Sequence, residues 1–202
     1  MGHYDSRFFH GILSDADRLE SLRHLIQSYL STMDRLEITT WLAHGSLLGW
    51  YWNEQVLPWD TDLDVQVWAS SLPMLAAQHN MSTFPYAADG DSPDREYLLD
   101  VNPNYVLRSC GNWMNMIDAR WIDKATGLFV DITSLAPPTY NLGVDRLVDK
   151  CGHHRYRSTQ IEPFIATSFE GVPALVPHDY STILADEYEP RALTNTHFAM
   201  YV

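Results

Sequence analysis

Three aspartates at alternate positions, Asp60, Asp62 and Asp64, stand a short way after a Gly45-Ser46 pair. In an extended chain residues i and i+2 share a face. Asp62 and Asp64 therefore project together from Asp62-Leu63-Asp64-Val65, while Leu63, Val65 and Val67 turn to the core. Two carboxylates held this close repel each other, and one has a raised pKa unless a cation lies between them. Binding of a divalent cation is the chemistry this pattern implies. An EF-hand loop starting at Asp60 is excluded, because Val65 and Ser71 occupy the positions that loop reserves for Gly and Glu.

The elements that must hold these residues are legible from periodicity. Leu19, Leu22, Leu25, Ile26, Tyr29, Leu30 and Met33 recur at helical spacing across 15–37, with Ser14 or Asp15 as the N-cap. A short strand is predicted at 39–42, a helix over 46–52 and the acidic strand over 62–68. A helix at 72–78 and a loop at 85–93 follow. Further strands are expected around 97–100, 105–108, 118–122, 128–133 and 174–176. Residues 123–127 read as a hairpin connection, 136–163 as irregular and 180–188 as a helix. The fold class is α/β (α+β), a mixed sheet with flanking helices, in one domain over 1–202.

Composition narrows the function classes. With 46% hydrophobic and 12% aromatic residues the chain is not a disordered segment. A formal net charge of −13 argues against nucleic acid as a partner, since phosphate backbones are bound by clustered Lys and Arg. No stretch approaches the ~18–20 apolar residues that span a bilayer. Cys110 and Cys151 read slightly better as free thiols than as a pair.

The order Gly-Ser, helix, Asp-apolar-Asp resembles the nucleotidyltransferase superfamily. On that template Gly45 lets backbone approach a phosphate, and Ser46 with the helix start offers it donors. Asp62 and Asp64 hold Mn²⁺ or Mg²⁺. Asp131, centred in the apolar run 129–133, supplies a third carboxylate and needs a cationic partner if buried. Asp60 coordinates the metal, orders the loop or is simply solvated. Arg120 is the first choice for a cation facing an anionic donor, ahead of Arg95, Arg108, Arg155 and Arg157. Trp59 is expected to line the pocket, whereas Trp50 and Tyr51 read at least as well as core. His44 is expected to shape the turn. His153-His154 is set aside as a metal site, because adjacent strand residues point opposite ways.

Gly45-Ser46-Leu47-Leu48-Gly49 followed by Pro58-Trp59-Asp60-Thr61-Asp62-Leu63-Asp64 is similar to the LicD family, which includes bacterial phosphocholine transferases and the fukutin-related proteins. The runs 99–103, 117–123, 126–133 and 169–173 resemble its fungal branch, the proteins of mannosylphosphate transfer to glycans. The resemblance covers roughly 35–190. It implies transfer of a sugar phosphate, mannose-1-phosphate from GDP-mannose as the nucleotide-activated donor, onto a hydroxyl of a glycan acceptor. Asp62, Asp64 and Asp131 are then the catalytic residues, with Asp60 a further metal ligand. Gly45, Ser46, Trp59 and Arg120 bind substrate. It also implies a Golgi lumen setting, with any anchor outside this chain. Two alternatives stay open: transfer of phosphocholine or another phospho-alcohol, and a non-catalytic accessory role beside a partner transferase.

Overall fold

The computed structural model describes residues 3–87, 95–108, 115–138 and 145–195. Helix α1 (Asp15–Arg35) starts where predicted: the Ser14 side chain accepts the Asp17 amide, and Asp15 and Asp17 place negative charge at the helix's positive end. Leu22, Leu25, Ile26, Tyr29, Leu30 and Met33 form its buried stripe. Strand β1 (Thr40–Leu42), helix α2 (His44–Asn53) and strand β2 (Leu63–Trp68) follow. A short helix α3 (Leu72–Met74) runs on into a π-type turn, Leu75–His79.

Strands β3 (Thr83–Tyr86), β4 (Arg95–Val101), β5 (Ala119–Asp123) and β6 (Phe129–Leu135) complete a six-stranded sheet in the order β1-β2-β6-β5-β4-β3. In this sheet the pair β2–β6 is parallel and the other pairs are antiparallel. The remaining elements are a hairpin β7 (Arg146–Val148) and β8 (Arg155–Arg157), helix α4 (Ser158–Ile161), a hairpin β9 (Ile165–Phe169) and β10 (Val172–Val176), and helix α5 (Tyr180–Tyr188). This is the mixed-sheet α+β fold expected.

Leu63, Val65, Val67, Val130 and Ile132 are wholly buried in the core that α1 covers. A polar seam fixes α1 over β1 and β2. Tyr29 Oη and Thr40 Oγ1 are 2.8 Å apart, and Thr40 Oγ1 donates to the Gln66 carbonyl at 3.0 Å. Each of these buried polar groups thus keeps a partner, which sets register as well as burial.

Three expectations need correcting. Residues 105–108 are not a strand: Asn102 Oδ1 accepts the Asn104 amide and its carbonyl accepts that of Tyr105, closing a turn around Pro103. The stretch 136–163 is not irregular throughout, since it contains β7, β8 and α4; strands of three residues are too short for alternation to register. Cys151 is disulfide-bonded, against the reading as a free thiol; Cys110 lies outside the described residues, as do 88–93 of the expected loop.

Candidate active site

The parallel register puts Asp64 opposite Asp131, and the antiparallel register of the next pair puts Asp131 opposite Arg120. Paired residues on adjacent strands share a face. Asp64, Asp131 and Arg120 therefore form a row across β2, β6 and β5, on the face away from Val65, Val130 and Ile132. Arg120 Nε donates to Asp131 Oδ1 at 2.7 Å and its guanidinium lies 3.9 Å from the centre of the Phe129 ring. The cationic partner required by a buried Asp131 is thus Arg120, which also lines a cavity of about 520 Å³.

Asp64 is held through its own backbone. Its amide donates to Ser46 Oγ at 2.9 Å, and its carbonyl accepts the Ala43 amide at 3.2 Å. Ser46 is 1% exposed. Its hydroxyl ties the start of α2 to the acidic strand. Gly45 sits where an added Cβ would lie 3.7 Å from Asp60 Oδ2, so it fronts the first aspartate. Gly49 is the glycine with no alternative: a Cβ there would meet the Gln55 carbonyl at 2.5 Å.

Asp60 is positioned by a turn, its amide donating to the Leu57 carbonyl at 3.0 Å, and by Arg18, whose Nε donates to the Asp60 carbonyl at 3.0 Å. Its Oδ2 is buried with no hydrogen-bond partner among the described residues. Burial first, and then the charge of Asp62, push the Asp60 carboxyl up to about 7. Burial likewise lifts Asp64 to about 7, aided by Asp62, Asp131 and Glu187 and opposed by His44. Asp131 is also raised by burial, with Arg120 opposing. Asp62 is the more open member and meets His3 Nδ1 at 3.1 Å.

The four aspartates thus perturb one another electrostatically, although no three of their oxygens meet within 4.8 Å among the described residues. An orphaned buried carboxylate oxygen and two carboxyls lifted to about 7 fit a hard divalent cation with oxygen ligands. Asp60, Asp62, Asp64 and Asp131 are the residues that would hold it.

The aromatics divide. Trp50 Nε1 donates to Thr167 Oγ1, Tyr51 Oη to the Leu193 carbonyl and Trp52 Nε1 to the Ala192 carbonyl. These three fasten α2 to β9 and to the C-terminal turn. Trp59 is half-buried in the turn before Asp60. Of the other cations, Arg95 pairs with Glu20 and Asp123, and Arg108 donates to Ser134 and the Val148 carbonyl. Arg155 and Arg157 join Arg146 around a cavity of about 660 Å³.

Several residues contribute in ways that the sequence does not show. Glu170, in the β9–β10 turn, accepts the Val56 amide at 2.8 Å and pairs with Arg23, bracing the loop before the aspartates. His44 has a positive φ of 48° and its Nδ1 lies 2.5 Å from Glu187 Oε1. Tyr188, although exposed, lies in the field of Glu187, Asp64, Asp60 and Asp62. The run Glu187-Tyr188 has no local pattern that singles it out; only α5 packing beside α2 brings it here.

A mixed sheet with aspartates on its adjacent parallel strands, beside a Gly-Ser helix start, defines a nucleotidyltransferase-type domain. Residues 37–179 match the LicD/FKTN/FKRP nucleotidyltransferase domain, and the chain belongs to that family. It is 36% identical over 137 residues to mannosyltransferase regulator 4 of Saccharomyces cerevisiae, a match covering 66% of this chain and 12% of that protein. To mannosyltransferase regulator 14 of the same yeast it is 34% identical over 138 residues, covering 66% and 14%. The match therefore spans a small part of these relatives' length. No helix among the described residues is long and apolar enough to cross a membrane.

Proposed function

We propose that this domain transfers a sugar phosphate, mannose-1-phosphate from GDP-mannose, to a hydroxyl of a glycan acceptor, forming a phosphodiester and releasing GMP. The observation that carries the reading is the pairing of Asp64 with Asp131 in register on adjacent parallel strands, beside Asp60 and Asp62. Mn²⁺ or Mg²⁺ bound there supplies positive charge to the phosphate oxygens. Asp62 and Asp64, with Asp131 and Asp60, hold that charge in place. Ser46 fixes Asp64 through its amide, and Arg18 and Glu170 fix the turn that carries Asp60. Asp131 takes the proton of the attacking hydroxyl as its oxygen bonds to phosphorus and the bond from phosphorus to GMP breaks. Arg120 keeps Asp131 oriented and faces the donor's negative charge. Positioning and charge carry most of the rate in such a reaction. The disulfide at Cys151 suits an oxidising compartment such as the Golgi lumen.

A second reading, an accessory subunit serving a partner transferase, draws on two observations. The relatives are named regulators, and protein side chains already contact Asp62 and Asp131, through the His3 ring and the Arg120 guanidinium. Mass spectrometry of a manno-oligosaccharide incubated with the protein, GDP-mannose and Mn²⁺ separates the two. A mannosylphosphate adduct, absent with Asp62→Asn, is expected. No adduct from a protein that still binds Mn²⁺ and GDP-mannose favours the accessory role.

A further inference from the structure

A second cluster lies at the start of α2, and its ligand chemistry differs from that of the aspartates. His44, His154 and Glu187 each offer one ligand atom, and the three atoms lie within 4.8 Å of one another. They come from three separate elements: the first residue of α2, the segment entering β8, and the last turn of α5. The two imidazoles touch, with ring centres 4.4 Å apart.

We infer that His44, His154 and Glu187 form a site for a borderline transition-metal cation of the Zn²⁺ type, beside the oxygen-only aspartate site and with a different ligand set. Two imidazole nitrogens and one carboxylate oxygen are a ligand set that suits zinc, whereas all-carboxylate sites suit Mg²⁺ and Mn²⁺. The orienting group such a site needs is in place. His154 Nδ1 lies 2.9 Å from Asp149 Oδ2, so the carboxylate holds the ring and leaves Nε2 for a metal. Asp149 is itself locked, accepting the amides of Cys151, His153 and His154. Its carboxyl is driven down to about 2: burial works against the charge, but the His154 hydrogen bonds outweigh it.

His44 and Glu187 are joined by a 2.5 Å hydrogen bond, so a proton stands where the cation would. Replacing it requires the pair to part by about an ångström, given metal–ligand bonds of about 2.0–2.1 Å in a tetrahedral site. His44 adopts its left-handed φ of 48° at this spot, a conformation seldom taken by a residue with a side chain. His154 and Glu187 also line a cavity of about 410 Å³, with Tyr156 and Arg155. Three protein ligands beside an open cavity leave a coordination position for water or substrate, the layout of a reactive zinc site and not of a closed structural one.

This inference stands apart from the proposed transfer reaction, and its test does not read activity. Chelator-treated full chain is titrated with Co²⁺ and followed by visible absorption, with circular dichroism on every variant. One equivalent should give the intense bands of a four- or five-coordinate ion, displaced by Zn²⁺. Those bands should weaken at least tenfold in His154→Ala and persist in Asp62→Asn. Absence of the bands in the unmutated chain overturns the site, as does their survival in His154→Ala or their loss in Asp62→Asn. Should His154→Ala not fold, ¹⁵N resonances of the unmutated chain decide. Zn²⁺ is expected to shift the ring nitrogens of two of the nine histidines, and no shift overturns the proposal.

Discussion

Asp118, just ahead of β5, and Asp64, on β2, are both drawn away from water, but their surroundings differ. Asp118 is wholly buried; Ser134 Oγ donates to its Oδ2 at 2.6 Å and the Lys150 ammonium, 3% exposed as a residue, lies 3.2 Å from its Oδ1. Lys150 in turn donates to Asn115 Oδ1. Charge is thus met by charge inside the protein. Around Asp64 the neighbours are mainly other carboxylates. Asp60 Oδ2 and Asp118 Oδ1 are both buried without a hydrogen bond among the described residues, but only Asp118 has an ammonium beside it, Lys150 at 3.2 Å. The fold supplies a lysine to one aspartate and more aspartates to the other, and under the proposed function the second group takes its positive charge from a bound cation. The contrast separates a carboxylate paired within the protein from the carboxylates proposed to bind.

Breaking the Asp118 pair should have the largest effect on the fold. Lys150→Met strands a buried carboxylate, and removal of one partner from a buried pair costs about 3–5 kcal/mol. Urea unfolding should show a loss of that size with Mn²⁺ affinity unchanged. A loss below about 1 kcal/mol, the range of surface pairs, would erase the distinction.

Asp64→Asn should do the reverse. We expect Mn²⁺ binding and sugar-phosphate transfer to fall about 10²–10³-fold, the range for removing one charge-stabilising group. Stability of the metal-free protein should hold or rise, because the buried charge being removed was unfavourable. Calorimetry for Mn²⁺ and urea unfolding give both numbers on one sample. Destabilisation matching Lys150→Met would place Asp64 with the structural carboxylates.

Which of these roles is readable in the sequence depends on how local the information is. The Asp62-Leu63-Asp64-Val65 alternation and the apolar run around Asp131 encode strand and face within a few residues, so the paired carboxylates are legible. So is α1, whose stripe repeats over several turns. Arg120 is within reach as the partner of Asp131 because both lie in neighbouring predicted strands. The Asp118–Lys150 pair is not visible, since nothing in either segment says that they meet. The same holds for Glu187, Tyr188 and Glu170, which reach the site only through packing of α5 and the β9–β10 turn. Ser46 stands out in the sequence, but its role there differs from its role in the fold. A Gly-Ser pair before a helix suggests a phosphate cradle, and only the packing of α2 on β2 reveals that the hydroxyl holds the Asp64 amide. Sequence adjacency sets His154 beside His153, whereas its neighbour in space is His44.

The comparison sharpens with pH. Asp60 and Asp64 titrate at about 7 when folded and near the ordinary ~3.9 when unfolded. The folded form therefore holds its protons more tightly. The contribution of these groups is fully present below about pH 4 and is lost as pH rises through about 7. Metal-free protein should weaken across that window, while Mn²⁺, which binds the ionised form, should stabilise more as pH rises. Thermal melts should give a larger Mn²⁺-induced rise in Tm at about pH 8 than at about pH 5.5, by several degrees. An equal rise at both values would mean that the cation does not sit on these carboxylates.

Ser46→Ala should give the smallest effect, and it tests how the binding half of the contrast is held in place. The substitution leaves the Asp64 amide without its acceptor at a site that is 1% exposed, which costs about 1 kcal/mol, or roughly 3 °C in Tm for a chain of this size. If the hydroxyl acts through the Asp64 amide alone, Mn²⁺ affinity should drop a few-fold as Asp64 loosens. Donor affinity measured at saturating Mn²⁺ should then be nearly unchanged. If Ser46 instead donated to the donor's phosphate, the order would reverse: GDP-mannose affinity would fall while Mn²⁺ affinity stayed level. Titrating both ligands against the same variant by calorimetry distinguishes a residue that positions the acid from one that touches the substrate.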